Sequence, residues 1–233
     1  MVKLIHLVLL LLCLKAFSQG TDPRRLFSYK VKEQLKEYAI NADNAYELKD
    51  YERGAFLFDS LVKHVVINSY MDNFKFKKLS GRTVYFHDYE KPVFLMTYAS
   101  WCTPGNGEIP ALNKVVEQYH PYIDFVILFW NTKAQVKAVA KEYHPKMDVV
   151  YIDETENIHD HVIISMKHSL GFPTSFFISS NKQILDVRRG VLHPYSEEYE
   201  VSYSLNYDSF LKGIALLFTE EEAPYPNSLL GQN

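Results

Sequence analysis

From Asp72 onward the chain alternates between short, nearly continuous apolar runs and stretches whose apolar residues recur at helical spacing. Few folds accommodate that alternation. The runs are Pro92 to Ala99, Ile123 to Trp130, Val149 to Ile152 and Thr174 to Ser179. Strands buried on both faces read this way, because neither face meets water. Leu112, Val115, Val116 and Tyr119 mark one intervening helix, and Val136, Val139, Ala140 and Tyr143 the next. Ile158 to Leu170 reads as a third, less regular helix. Tyr207, Phe210, Leu211, Ile214, Leu217 and Phe218 form an apolar stripe on a last one. Ahead of the first run, Phe74-Lys75-Phe76-Lys77 alternates, Ser80-Gly81 turns, and Thr83 to His87 is strand-like; the alternating lysines suit an exposed sheet edge. The class is α/β, a central sheet flanked by helices. The acidic, tyrosine-rich stretch from His193 to Ser204 takes no assignment.

Residues 22–67 read differently. Asp22-Pro23 is a helix-start pair, and Phe27, Val31, Leu35, Tyr38, Ala42 and Tyr46 recur at helical spacing until Lys49-Asp50 interrupts them. Phe58, Leu61, Val62 and Val65 resume the pattern. This predicts an N-terminal helical hairpin packed on the sheet region.

The two cysteines, Cys13 and Cys102, are too few for a disulfide framework or a cysteine-built zinc finger. Their surroundings separate them. Lys3, the apolar stretch Leu4 to Leu14 and the small-x-small site Ala16-Phe17-Ser18 have the form of a secretory signal, too short to span a bilayer. Cleavage after Ser18 makes Gln19 the mature start and removes Cys13, leaving Cys102 alone in an oxidising compartment, secreted or periplasmic. It also removes Lys3 and Lys15 from a chain whose formal charge is already −3, which argues against a nucleic-acid partner. No second apolar run approaches spanning length, so no membrane span is expected in the mature chain.

Cys102 stands between a buried strand and the next helix, in Ala99-Ser-Trp-Cys-Thr-Pro-Gly-Asn-Gly-Glu-Ile-Pro110. That predicts a thiol at a helix N-terminus, where free N–H groups and the helix dipole favour the thiolate near neutral pH. Pro110, read as a helix-interior proline, predicts a kink. No Gly-rich phosphate loop and no His-Glu-x-x-His is present. His159-Asp160-His161 points its two imidazoles to different faces of a helix, so no metal and no cofactor is expected.

Trp101-Cys102-Thr103-Pro104 with Glu108 and Pro110 resembles the active-site motif of thioredoxin-fold proteins, closest to the thiol–disulfide oxidoreductases of the TlpA/ResA type. Gly171-Phe172-Pro173-Thr174 resembles the same family's Gly-x-Pro-Thr loop, and Arg189-Gly190 is a weaker third match. The resemblance implies a thioredoxin fold over residues 72–219, a mixed central sheet flanked by helices. Residues 1–18 are then the signal peptide, 19–71 the helical N-terminal region and 220–233 a flexible tail. It also implies that Pro173 is a cis proline facing Cys102, with Trp101 and Phe172 beside the groove.

The family's second cysteine falls at position 105, and this chain has Gly105. A resolving thiol at that place attacks the mixed disulfide; glycine cannot. Gly105 and Gly107 also weaken the first helical turn. Glu108 matches the family's buried acid, but without the second cysteine it reads as an ordinary carboxylate at a helix start.

Two readings stay open. One is a monothiol exchange protein acting through Cys102 on a protein thiol or disulfide, or on a small thiol. The other is a redox-inactive module that holds an extended partner segment beside Pro173, Cys102 being vestigial. A peroxidase is a lesser third, because the threonine expected three residues before the cysteine is Ala99. The oligomeric state is not indicated.

Overall fold

The computed structural model describes residues 22–156, 163–168, 170–171, 173–190 and 197–219. The signal-like segment with Cys13 and Gln19, His159 and His161, Phe172 and the tail 220–233 lie outside the described residues.

The helical hairpin is present. The Asp22 carboxylate accepts from the Arg24 N–H at 3.0 Å and caps a short turn, Pro23–Arg25. Helix α1, Phe27–Glu47, follows. Lys49 takes a left-handed φ of 56°, and Asp50 caps α2, Tyr51–Leu61, by accepting from the Arg53 N–H at 2.9 Å. The Lys49-Asp50 interruption is therefore the turn of the hairpin. A π-helical turn, Val62–Val66, continues α2.

Seven strands form one sheet. They are β1 Lys75–Lys78, β2 Thr83–Tyr85, β3 Val93–Tyr98, β4 Asp124–Phe129, β5 Asp148–Tyr151, β6 Thr174–Ile178 and β7 Ile184–Arg189. Their order is β2-β1-β5-β4-β3-β6-β7. The central β3, β4 and β5 run parallel, and all other neighbours pair antiparallel. Every residue of β3 and β6 is buried, as their unbroken apolar runs require. The edge belongs to β2, not to the lysine-bearing β1. The β1 lysines find partners instead, Lys77 on Glu156 at 2.6 Å and Lys78 on Asp148 at 2.6 Å.

Alternate strand residues feed two core layers. On one face Leu95, Val126, Phe176 and Val187 pack with Phe27, Val31, Phe58 and Leu61 of the hairpin. On the other, Phe94, Met96, Ile127 and Phe177 pack with helices α3, Glu108–Tyr119, and α5, Tyr199–Thr219. The neighbours Phe176 and Phe177 show the alternation: one ring meets Phe27 edge-on at 5.7 Å, the other meets Phe94 at 5.1 Å. Each fully buried ring contributes about 2–3 kcal/mol relative to an exposed one. Helix α4, Lys133–Val139, connects β4 to β5 and opens on a capping box of Thr132 and Gln135.

Two expectations shift in detail. The described part of the irregular Ile158–Leu170 segment is a π-helical turn, Ile163–His168. Helix α5 begins at Tyr199, so it takes in the end of the previously unassigned His193–Ser204 stretch.

Candidate functional site at the C-terminal end of the central strands

The carboxyl ends of parallel strands are where ligands of open α/β sheets bind. The loop carrying Cys102 leaves β3 at that end. Thr97 of β3 pairs with Thr174 of β6, and the Thr97 hydroxyl donates to the Thr174 carbonyl at 3.3 Å. Pro173, immediately before Thr174, therefore enters the sheet beside the point where the Cys102 loop leaves it.

The loop is tied down locally. The Cys102 N–H donates to the Ala99 carbonyl at 2.9 Å, and the Ser100 N–H donates to Asn131 Oδ1 at 2.7 Å, linking the loop to the end of β4. Trp101 is 71% exposed and Thr103 is exposed, while Cys102, Pro104 and Gly105 are half-buried.

Cys102 does not sit at a helix N-terminus, contrary to the sequence expectation. Helix α3 begins at Glu108, with Gly107 as its N-cap. The reason is long-range. A Cβ on Gly107 would lie 2.1 Å from the backbone nitrogen of Tyr203, so only glycine lets the first turn of α5 come this close. Ser202 Oγ then accepts the Gly107 N–H at 3.1 Å, and a Glu108 carboxylate oxygen accepts the Gly105 N–H at 3.4 Å. These two N–H groups, which could have stabilised a thiolate, are taken within the fold. Pro110 falls in the first turn of α3, where backbone N–H groups have no intrahelical partner. It removes no helical bond, and the expected kink has no cause.

The electrostatics follow the geometry. Burial pushes the Cys102 thiol above its ordinary range, and the Glu108 carboxylate adds to that, while a hydrogen bond with the Ala99 backbone works the other way. The lowered pKa expected from a helix dipole is thus replaced by a raised one, and the thiol ionises less readily. Glu108 occupies the helix-start position expected of it, but it is only 9% exposed and faces inward rather than to solvent.

Sequence reasoning passed over Tyr98 and Tyr143. Both are buried, and both phenols are pushed above their ordinary range, first by burial and next by the charge of Glu108. Cys102 is near enough to influence both. The Tyr98 hydroxyl approaches Glu108 but completes no hydrogen bond of normal geometry with any group. The available signal was a hydroxyl-bearing ring inside an otherwise apolar strand.

The second motif is built around Pro173. The buried Thr174 donates from its hydroxyl to the Gly171 carbonyl at 2.9 Å. Gly190 donates its N–H to the Pro173 carbonyl at 3.0 Å, and a Cβ there would stand 2.6 Å from Pro173 Cγ. The Gly-x-Pro-Thr and Arg-Gly matches are thus one packed unit. Arg189 fastens it to the hairpin. Its Nε donates to the Leu170 carbonyl at 3.2 Å, Nη1 to the Tyr46 hydroxyl at 3.1 Å and Nη2 to the Tyr38 hydroxyl at 2.9 Å. Its guanidinium lies 3.9 Å above the Phe58 ring. Among the described residues no group of three or more His, Cys, Asp or Glu could hold a metal ion, and no helix is long and apolar enough to cross a membrane.

A mixed sheet between helices, with a thiol loop after the central strand and a Pro-Thr loop entering beside it, defines a thioredoxin-fold protein. Residues 67–187 match the model of the AhpC/TSA family, and the chain belongs to that family. Over 121 residues it is 27% identical to the thiol-disulfide oxidoreductase ResA of Bacillus thuringiensis subsp. konkukian, a match covering 51% of this chain and 66% of that protein. It is 26% identical to the thioredoxin-like protein YneN of Bacillus subtilis, over 52% of this chain and 69% of that one. These matches support the TlpA/ResA-like resemblance at low identity. Among solved structures, a candidate protein disulfide isomerase from Bacteroides thetaiotaomicron superposes with a TM-score of 0.50 at 16% identity, covering 67% of this chain and 92% of that one. It shares the fold.

Proposed function

We propose that this protein is an exported, monothiol thiol–disulfide exchange protein acting through Cys102. The observation that carries the reading is the placement of a half-buried free thiol on the loop after β3, between the exposed residues Trp101 and Thr103 and at the end of the sheet where Pro173 enters it. The Cys102 thiolate attacks a partner disulfide. A bond forms between Cys102 Sγ and one partner sulfur, the partner's S–S bond breaks, and its other sulfur leaves as thiolate. An external thiolate then attacks the partner sulfur and expels Cys102 as thiolate, so the disulfide ends on the partner and the external thiol.

The raised pKa of Cys102 shapes this cycle. A thiol of high pKa is a poor leaving group, so the mixed disulfide at Cys102 persists and the protein holds its partner until a second thiol arrives. Trp101, Thr103, Pro104, Gly105, Glu108, Phe172, Pro173 and Thr174 are the residues proposed to surround the adduct. Export rests on the Lys3, Leu4–Leu14 and Ala16-Phe17-Ser18 pattern.

The raised thiol also favours a second reading, a binding module that holds an extended segment beside Pro173 without covalent chemistry. One experiment separates them. The mature protein is incubated with a disulfide-containing peptide and analysed by intact mass. The exchange reading expects an adduct on Cys102 that dithiothreitol removes. Binding of the peptide by Cys102→Ser at unchanged affinity, with no adduct on the parent protein, establishes the module instead.

A further inference from the structure

Tyr98 is 3% exposed, lies one residue before the loop that carries Cys102, and presents a fully buried hydroxyl that meets no hydrogen-bond partner. Leaving such a group unpaired costs about 1–3 kcal/mol. The ring is held firmly. It packs edge-on against Phe129 at 5.9 Å, and Phe129 packs against Tyr143 at 5.8 Å. Among the described residues, the titratable groups acting on it are Glu108 from α3, Tyr143 from the turn after α4, and Cys102, with Glu142 acting in turn on Tyr143. Glu108 comes nearest to the phenol, yet completes no hydrogen bond of normal geometry with it.

We propose that Tyr98 is the positioning residue of this site, its hydroxyl kept unpartnered so that it donates a hydrogen bond to Cys102 Sγ when the sulfur carries negative charge. The proposal deepens the exchange reading above and rests on Cys102 acting as a thiolate. The logic is one of replacement. Two backbone donors ahead of α3, the N–H groups of Gly107 and Gly105, are committed to Ser202 and Glu108, and position 105 offers no second thiol. A thiolate at Cys102, formed at the start of the cycle and again on release, therefore needs a donor from elsewhere. A phenol whose own ionisation is suppressed stays protonated throughout the working pH range and remains a donor.

The test is the ionisation of Cys102, read on the full chain as the rate of iodoacetamide alkylation against pH. Tyr98→Phe is expected to move the titration upward by about one pH unit, a tenfold slower reaction at neutral pH. Glu108→Gln is expected to move it downward, because a neighbouring negative charge is gone. The discriminating protein is Tyr98→Phe in the Glu108→Gln background. The upward shift persists there if the phenol serves the sulfur. Its disappearance, or an unmoved titration in Tyr98→Phe alone, overturns the proposal. Replacing Tyr98 by 3-fluorotyrosine keeps the ring and sharpens the donor, so the titration is expected to fall; no change counts against the proposal even if the Phe protein folds poorly. Alkylation needs no partner, so a protein that titrates as expected yet forms no adduct with glutathione disulfide refutes the exchange reading alone.

Discussion

Two polar centres, one half-buried and one buried, stand at the same end of the sheet, on opposite faces, and they are built in opposite ways. Arg189 faces the hairpin with all three guanidinium nitrogens donating, to Leu170, Tyr46 and Tyr38, and its plane resting on Phe58. Tyr98 faces the Cys102 layer with its hydroxyl unpartnered, one of two such buried side-chain groups among the described residues, the other being Trp130 Nε1. A saturated centre holds a structure together. An unsaturated one lowers stability and persists where something else needs the group. The comparison assigns the hairpin clamp to architecture and the Tyr98 end to function.

The contrast can be broken by experiment. The largest effect is expected from Arg189→Ala, which removes the charged hydrogen bonds to Tyr38, Tyr46 and the Leu170 carbonyl together with the ring contact: urea unfolding should show a loss of about 3 kcal/mol. An effect within experimental error would mean that the hairpin is not clamped through this side chain. Gly107→Ala comes next. Its Cβ meets the Tyr203 backbone rather than a flexible side chain, so α3 and α5 must part, at a cost of about 2 kcal/mol. A fully stable variant would show that the close approach is not required.

A third effect is pH-dependent. The Tyr98 phenol is raised in the folded state, so above the unfolded phenol pKa the unfolded chain binds fewer protons than the folded one. Its contribution is present below that pH and falls as pH rises, by about 1.4 kcal/mol per pH unit beyond about pH 10. Tyr98→Phe should show a correspondingly shallower alkaline loss of stability. The smallest effect is the most pointed: at neutral pH, Tyr98→Phe should cost nothing or stabilise by up to about 1 kcal/mol, because it removes an unsatisfied buried hydroxyl. Destabilisation comparable to that of Arg189→Ala would show that Tyr98 is structural after all.

Much of the architecture was legible in local pattern. The unbroken apolar runs of β3, β4 and β6 announced strands buried on both faces, and Lys49-Asp50 announced the turn of the hairpin. What escaped depends on contacts distant in sequence. The first turn of α5 meets Gly107 and takes the N–H that sequence logic reserved for Cys102. That displacement leaves burial, with the Glu108 carboxylate, to raise the thiol pKa, and no feature of the Trp101–Pro110 motif announces it. Arg189-Gly190 was visible as a family match. Its work, joining Pro173 through Gly190 and the hairpin through Tyr38 and Tyr46, appears only when β7 lies beside β6. Glu108 was recognisable as an acid at a helix start, but its burial is a property of the layer formed by Tyr98, Tyr143 and α3 together.

The central claim is that Cys102 is a working nucleophile despite its raised pKa. The most direct measurement is intact mass of the mature protein after exposure to glutathione disulfide across neutral to alkaline pH. The account predicts a single glutathione adduct, absent from Cys102→Ser, forming faster as pH rises and persisting until a second thiol is added. A folded protein that remains unmodified throughout that range contradicts it.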